Sequence, residues 1–256
     1  MTPVGIGVDF IDRWLSISTT QVGDHALILC KENRISSDEI IDELREVMRS
    51  HYVAPEVAIK RLAELGAPKA AEILREHLPI TKTARSGDLG EILATELTER
   101  KLGFNVPVRR LRWKDGRNRA LQGDDILAVT RDHEGYLKFL KGESKSRARL
   151  TKTVVGEAAA ALDRDFGRPS RYSAVFVADH LREAGEDELA NGIENALLES
   201  FSNNCVDHLL FTVSGNDPNK YLSNHLSSCT SKAHRHAMGV RINNHGNFVE
   251  HLFSEL

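Results

Sequence analysis

Three residues in the segment 123–145 have the types and spacing that metal-dependent phosphodiester hydrolysis requires. Asp125 opens an apolar run, and Glu143 and Lys145 close the next one. Two carboxylates desolvated at close range repel each other, and a divalent cation removes that penalty. Oxygen donors, with no Cys or His in either run, suit Mg²⁺ or Mn²⁺. A charged Lys145 cannot be a ligand, but it can hold a water molecule or stabilise negative charge on a phosphate.

A β-hairpin is the element that must bring these residues together. Residues 125–130 and 136–145 have the pattern of two strands, and the polar segment 131–135, which ends in glycine, has the composition of the turn between them. Alternate residues of a strand share a face. Glu143 and Lys145 are therefore expected to point the same way.

The register of the hairpin decides which aspartate joins them. If the turn centres on one residue, such as His133 or Glu134, Asp125 shares the face of Glu143. If the turn centres between two residues, Asp124 takes that place, because a slip of one residue exchanges the two faces. We favour Asp125, since the apolar run 126–128 continues directly from it.

A helix with one small-residue face supplies a further carboxylate. The sequence predicts a helix over 87–101, capped by Ser86 and stopped by Gly103. Projection places Glu91 opposite the leucine-rich stripe, on a face of small residues that can approach a sheet closely. That face comprises Gly87, Gly90, Ala94 and Thr98. Glu91 is expected to reach the site, and the simpler alternative is a solvent-facing glutamate that favours the helix dipole.

Charge is distributed unevenly along the chain. The net charge is −3, but residues 101–152 hold fourteen Lys/Arg against six Asp/Glu, which is +8 and leaves −11 elsewhere. Such a basic block indicates a polyanion as partner, and a solvated face of mixed charge is the alternative. Arg147, Arg149 and Lys152 follow the catalytic candidates and are expected to contact DNA phosphates.

Length and composition limit the class of protein. A chain of 256 residues can form one large domain or two small ones. No apolar run approaches the roughly 20 residues that span a bilayer, so no membrane role is expected. The first residues lack a basic region and resemble mature sequence rather than a signal peptide. Three scattered cysteines suit a reducing cytoplasm.

Strands and helices are mixed throughout, which predicts an α/β or mixed α+β fold. We divide the chain into a mixed, helix-rich region 1–80, with a possible partner or regulatory role, and a second domain 81–256. Strands are expected at 4–10, 14–18, 26–29, 106–113, 125–130, 136–145, 172–178, 208–213 and 238–242. Helices are expected at 37–49, 55–65, 68–78, 87–101, 151–166 and 187–201. The segment 216–236 is expected to be a loop, and 248–256 a strand or a helix.

The order of these motifs resembles the PD-(D/E)xK nuclease superfamily. Glu91 lies in a Gly-x-x-Gly-Glu stretch, Asp125 in Gly-x-Asp, and Glu143-Ser-Lys145 follows. The resemblance implies a restriction-endonuclease-like core, with a central mixed sheet flanked by helices. This chain has Asp124-Asp125 where the superfamily usually has Pro-Asp or Ile-Asp, so the identity of the ligand aspartate stays open.

In length, in its N-terminal region and in the stretch 83–91, the chain more closely resembles HamA, the nuclease subunit of the Hachiman anti-phage system. The resemblance implies a bacterial defence effector that degrades DNA together with a helicase subunit, HamB. It implies that Asp125 and Glu143 hold the metal, with Glu91 as a further ligand, and that Lys145 takes the lysine role.

The leading hypothesis is therefore a metal-dependent DNA nuclease that acts in the cytoplasm, in which the rest of the chain presents the nuclease core to a helicase partner and restrains it. One alternative is a non-catalytic nucleic-acid-binding or scaffolding module with a nuclease-like fold. The intact set of Asp125, Glu143 and Lys145 speaks against that alternative, because a site without activity has no physical reason to retain three costly charges close together. The other is a stand-alone repair or restriction nuclease.

Overall fold

The computed structural model of the protein describes residues 9–33, 37–119, 121–201 and 205–256, with the backbone alone at 37 and 38. Within these residues one six-stranded sheet has the order β1-β2-β6-β5-β4-β3. Its strands are β1 (Leu15–Val22), β2 (His25–Glu32), β3 (Ile126–Arg131), β4 (Leu137–Arg147), β5 (Val206–Ser214) and β6 (Arg235–Arg241). The predicted mixed α/β class is confirmed.

Helices surround this sheet. The α-helices are α1 (Phe10–Trp14), α2 (Ser37–Tyr52), α3 (Pro55–Leu65), α4 (Ala67–His77), α5 (Lys82–Leu97), α6 (Lys152–Asp163), α7 (Arg171–Glu183), α8 (Asp187–Leu198), α9 (Asn219–Ser227) and α10 (His245–Ser254). One π turn, Thr98–Leu102, continues α5. Two 3₁₀ turns cover Arg110–Trp113 and Arg164–Gly167. Among the described residues, no helix is both long and apolar enough to cross a bilayer.

The sheet is parallel in its centre and antiparallel at its edges. The four central strands, β2, β6, β5 and β4, run parallel to one another, whereas the edge strands β1 and β3 pair antiparallel with β2 and β4. The β1–β2 hairpin thus shares one sheet with the strands of the C-terminal half. The boundary placed near residue 80 stays a prediction.

Two helical layers cover the sheet and bury its apolar side chains. On one face, α2, α5 and α10 enclose the largest core, which includes Leu93, Leu140 and Phe211. On the other face, α6 and α9 cover the middle strands, and α7 with α8 covers β3. The resulting three-layer arrangement holds β4, the strand of Glu143 and Lys145, between helices on both sides.

Most predicted elements of the hairpin and the sheet are found, but four predictions are wrong. The segment 106–113 is not a strand: Arg110–Trp113 is a 3₁₀ turn, and Asn105 alone makes a bridge, to Val129. Pro107 lacks an N–H for strand pairing, and the neighbouring arginines bond to groups inside the protein.

The segment 172–178 is also not a strand, since it lies within α7. The Ser170 hydroxyl accepts from the N–H of Ser173 at 3.2 Å and caps the helix. Ala174, Val177 and Leu181 are buried at helical spacing, so the apolar run belongs to a helix face.

The remaining errors concern the start of α5 and the segment 216–236. Thr81 caps α5, five residues before the expected Ser86, while Ser86 lies inside the helix and donates to Ser146 Oγ at 2.9 Å. The expected loop contains α9, in which Leu222 and Leu226 are buried four residues apart. Of the N-terminal strand predicted at 4–10, residues 4–8 lie outside the described residues, and Phe10 begins α1.

Small residues on α5 let this helix lie directly on β4, as the sequence predicts. A Cβ atom added to Gly90 would lie 2.8 Å from Ser144 Oγ and 3.1 Å from Ser146 Cβ. A Cβ atom on Gly87, one turn earlier, would meet nothing within 4 Å. Close approach at Gly90 therefore sets how near Glu91 comes to the hairpin.

The two glycines give a matched stability test. Gly87→Ala is expected to raise the free energy of unfolding by up to about 1 kcal/mol, because alanine favours a helix. Gly90→Ala is expected to lower it by about 1–3 kcal/mol through overpacking against β4. Urea denaturation measures both values, and equal stability of the two variants would contradict the close packing.

Candidate metal centre

The β3–β4 hairpin has the register that places Asp125 with Glu143. Ile126 pairs with Gly142 and Arg131 with Leu137, so the turn centres on Glu134. Continued by one residue, this register sets Asp125 opposite Glu143. The sequence prediction of a turn centred on a residue is confirmed.

Glu143 and Lys145 lie side by side on one face of β4. The Lys145 ammonium donates a hydrogen bond to Glu143 Oε1. Both side chains are largely covered, with 15% and 21% of their surfaces exposed. The pair is therefore partly sheltered from bulk water.

Asp125 and Asp124 have different surroundings. Asp125 Oδ2 accepts a hydrogen bond from the backbone N–H of Ser144 at 2.8 Å, which ties it to β4 beside Glu143. Asp124 is buried, and its Oδ2 accepts from the N–H of Ser170 at 2.7 Å. Its other oxygen lies 3.5 Å from the ammonium of Lys141. Asp124 thus anchors the start of α7, whereas Asp125 has one carboxylate oxygen for which no such contact is seen.

Glu91 joins the same electrostatic neighbourhood from α5. Desolvation raises the pKa of its carboxyl group to about 8, and the negative charges of Asp125 and Asp88 add to the rise. The cations of Arg110 and Lys114 oppose it. Glu91 is consequently a carboxyl group that holds its proton near neutral pH.

The other two carboxylates are also destabilised as anions. Burial raises the pKa of Asp125, opposed by the Ser144 N–H and the Lys145 charge. Burial and then the charge of Asp125 raise the pKa of Glu143, while Lys145 and Arg164 lower it. Asp125 therefore opposes the ionisation of Glu91 on one side and of Glu143 on the other.

The donor set fits a hard divalent cation with few protein ligands. Among the described residues, no group of three or more His, Cys, Asp or Glu side chains could hold a metal ion, and Glu91, Asp125 and Glu143 together form no such group. Mg²⁺ commonly uses one or two carboxylates and completes its shell with water and substrate phosphate. Asp125 and Glu143, adjacent in register and destabilised as anions, supply that kind of incomplete oxygen site.

Comparison with known proteins identifies the family of this chain. The sequence profile of the HamA family matches residues 9–256. The chain belongs to the HamA family. A curated relative, the Hachiman protein HamA of Bacillus cereus, is 30% identical over 175 residues, which are 64% of this chain. The chain spans 62% of the length of that relative. The family is one of the Hachiman antiviral defence system, whereas the likeness to PD-(D/E)xK nucleases stays a prediction.

The basic residues of this HamA family member fall into two groups. Arg147 at the end of β4, with Arg149 and Lys152 after it, is exposed, and all three are accessible to a polyanion. Arg109 pairs with Glu99, at 2.5 Å, and Arg112 donates to the carbonyl oxygen of Ser50 at 2.8 Å. The side chains of the second group are engaged in contacts within the protein, so they contribute little to a surface that could bind DNA.

Several residues that organise the site have no motif that marks them. Arg110 is buried and donates to the carbonyl oxygens of Gln122 and Asp124, which holds the segment before Asp125. On α5, Asp88 bonds to Lys114 Nζ at 2.6 Å and to the Tyr52 hydroxyl at 2.8 Å. Of these residues, Lys141 could be recognised from the sequence, because a lysine within an apolar strand needs buried acceptors for its ammonium group.

Glu91 should make stability depend on pH in the absence of a divalent ion. Its carboxyl pKa is 4.5 ordinarily and about 8 in the folded protein, so between these values the folded state keeps a proton that the unfolded state has lost. The free energy of unfolding must then fall as pH rises through this window. Glu91→Gln should reduce the fall and be more stable than the parent at pH 8 by roughly 1–3 kcal/mol.

Thermal or urea unfolding between pH 5 and pH 9 in EDTA measures this dependence. Glu157→Gln, at an exposed position on α6, is the matched control and should follow the parent protein. Parallel profiles for all three proteins would contradict the desolvation of Glu91.

Proposed function

We propose that this HamA family member is a metal-dependent DNA nuclease, the effector of a Hachiman defence system. The observation that carries the proposal is the hairpin register, which sets Asp125 opposite Glu143 with Lys145 on the same face. A carboxylate pair beside a lysine is a donor set suited to hydrolysis of a charged diester. The family membership supports the biological setting in antiviral defence.

Asp125 and Glu143 would hold Mg²⁺ or Mn²⁺. The bound cation would supply Lewis acidity and lower the pKa of a coordinated water. Neutralisation of the crowded carboxylates would favour its binding, and proton release from Glu91 would accompany it. This explains why a folded chain retains acids that destabilise one another.

Lys145 has the position to act on the phosphate. Its ammonium now donates to Glu143, and a cation on Glu143 would compete for that carboxylate. Lys145 would then hold the attacking water or stabilise the negative charge that develops on the phosphate. In the balanced reaction, water adds to phosphorus, the P–O bond to one sugar breaks, and a proton passes to the leaving oxygen.

A helicase subunit, HamB, completes the proposal. The chain itself shows no Walker-type phosphate loop in its sequence, so energy from ATP must come from a partner. We place the pair in the cytoplasm, where DNA is the substrate and where a free nuclease would harm its host. The partner would therefore both deliver DNA and restrain cleavage.

Substitutions at the site test the chemistry. Glu143→Gln and Lys145→Met should each lower the rate of DNA cleavage by about 100-fold or more, since each removes charge that acts on the reacting phosphate. Labelled linear DNA incubated with the helicase complex and Mg²⁺ or Mn²⁺, or with EDTA, provides the measurement. Glu134→Gln in the exposed turn and Lys220→Met on α9 are charge-matched controls.

Metal titration separates the roles of these residues. Asp125→Asn and Glu143→Gln should lose Mn²⁺ binding in calorimetry, whereas Lys145→Met should retain it without cleavage. Unchanged cleavage by Glu143→Gln, or full activity in EDTA, would exclude the proposed site. Rapid cleavage by the isolated chain would instead favour a stand-alone nuclease, and metal-independent DNA binding without cleavage a scaffolding module.

A further inference from the structure

A strained loop beside the candidate site holds an aromatic ring in solvent. Asp165, Phe166 and Gly167 have φ values of 55°, 58° and 77°, three successive residues in the left-handed region. For residues other than glycine this conformation costs roughly 1–2 kcal/mol each. The Phe166 side chain recovers none of that cost through burial, because the residue is 95% exposed. The loop thus presents phenylalanine outward at a position where glycine would be more stable.

Buried groups on the sheet hold this loop in place. The ammonium of Lys141 donates to the carbonyl oxygens of Arg164, at 2.8 Å, and Arg168, at 2.9 Å. His208 Nε2 contacts the carbonyl oxygen of Gly167 at 2.7 Å. Because Arg235 donates to His208 Nδ1 at 3.1 Å, the Nε2 atom must carry the ring proton. Burial lowers the pKa of His208 to about 4, so the ring is neutral and the contact persists at neutral pH.

The same contacts place the loop next to the candidate metal centre. Lys141 precedes Glu143 by two residues and lies on the same face of β4. The Arg164 backbone, bonded to Lys141, therefore lies one step along the strand from Glu143. On the other flank, Tyr172 reaches the segment before Asp125, since a Cβ atom on Gly123 would lie 3.0 Å from its ring.

Positively charged side chains lie in the same segment as the rings of Phe166 and Tyr172. Three arginines belong to this segment: Arg164, Arg168 and Arg171. None of them makes a salt bridge with a residue that the structure describes. The nearby carboxylate of Asp163 is paired with Arg235 at 2.6 Å. A cavity of about 270 Å³ opens beside Phe166, with Arg168 and Lys232 among its lining residues.

We infer that residues 164–172, the aromatic rim, bind single-stranded nucleic acid, with unpaired bases stacked on Phe166 and Tyr172 and phosphates held by the arginines. Base–aromatic stacking and a positively charged groove are the two components of single-strand binding. Bases of an intact duplex are stacked on one another and cannot reach Phe166. The inference deepens the proposed nuclease function, on which it rests, by naming the form of DNA that enters the site.

Phe166→Gly is the decisive variant, because a glycine suits the left-handed backbone and the fold should be kept. Binding of a fluorescein-labelled 20-nucleotide single strand, measured by anisotropy with the full chain in EDTA, should weaken roughly 5- to 100-fold. Phe166→Trp should restore the affinity, and 2-aminopurine in the strand should report the stacking. Tyr136→Ala, which removes an exposed aromatic ring from the hairpin turn, is the matched control and should bind as the parent does.

Unchanged single-strand binding by Phe166→Gly would overturn the inference, as would an equal loss for the single strand and its duplex. If Phe166→Gly binds the strand normally but no longer co-purifies with the helicase subunit, the rim is a protein-docking surface and the inference is wrong. Cleavage assays distinguish a failure of the proposed nuclease function from a failure of single-strand binding by the aromatic rim. If the parent protein shows the expected Phe166 dependence of binding, yet its complex with the helicase subunit cleaves nothing with Mn²⁺, the nuclease is refuted and the rim is retained.

Discussion

The antiparallel register of β3 and β4 is the constraint on which the candidate site depends. The turn that sets it is specified locally, because Asp132 Oδ1 accepts from the N–H groups of Glu134 and Tyr136, at 2.9 and 3.0 Å. Gly135 closes the turn with a φ of 89°. A slip of one residue would exchange the faces of the strand and turn Asp125 away from Glu143. Five turn residues thereby determine which side chains face one another at the far end of the hairpin.

Repulsion between buried carboxylates is the second constraint on the structure. The charge of Asp125 opposes ionisation both of Glu91 on α5 and of Glu143 on β4, and the compensating cations come from separate elements. Arg110 precedes β3, Lys145 lies on β4 and Arg164 follows α6. Each cation offsets part of the repulsion, and the raised pKa values show that the compensation is incomplete. Binding of a further positive charge at such a site is favourable. Without that charge, the repulsion lowers the stability of the folded chain.

Much of this arrangement is visible in the sequence, and the exceptions have physical causes. The alternation along 125–145 and the glycine-ended turn predict the hairpin, its register and the choice of Asp125. The small residues of α5 predict its close approach. By contrast, the apolar run at 172–178 fits a strand or a helix equally well, and the Ser170 cap decides for the helix. The roles of Asp124 and Arg110 depend on partners that only the fold brings near, so no local pattern identifies them.

The position of β2 has a consequence for biosynthesis. β2 pairs with β6, and the backbone of Arg235 meets His25 across 210 residues of chain. On the ribosome, the first hairpin must wait for the last strand before the sheet can close, and such distant pairing is slow. A nascent chain would therefore lack the completed sheet until β6 has emerged.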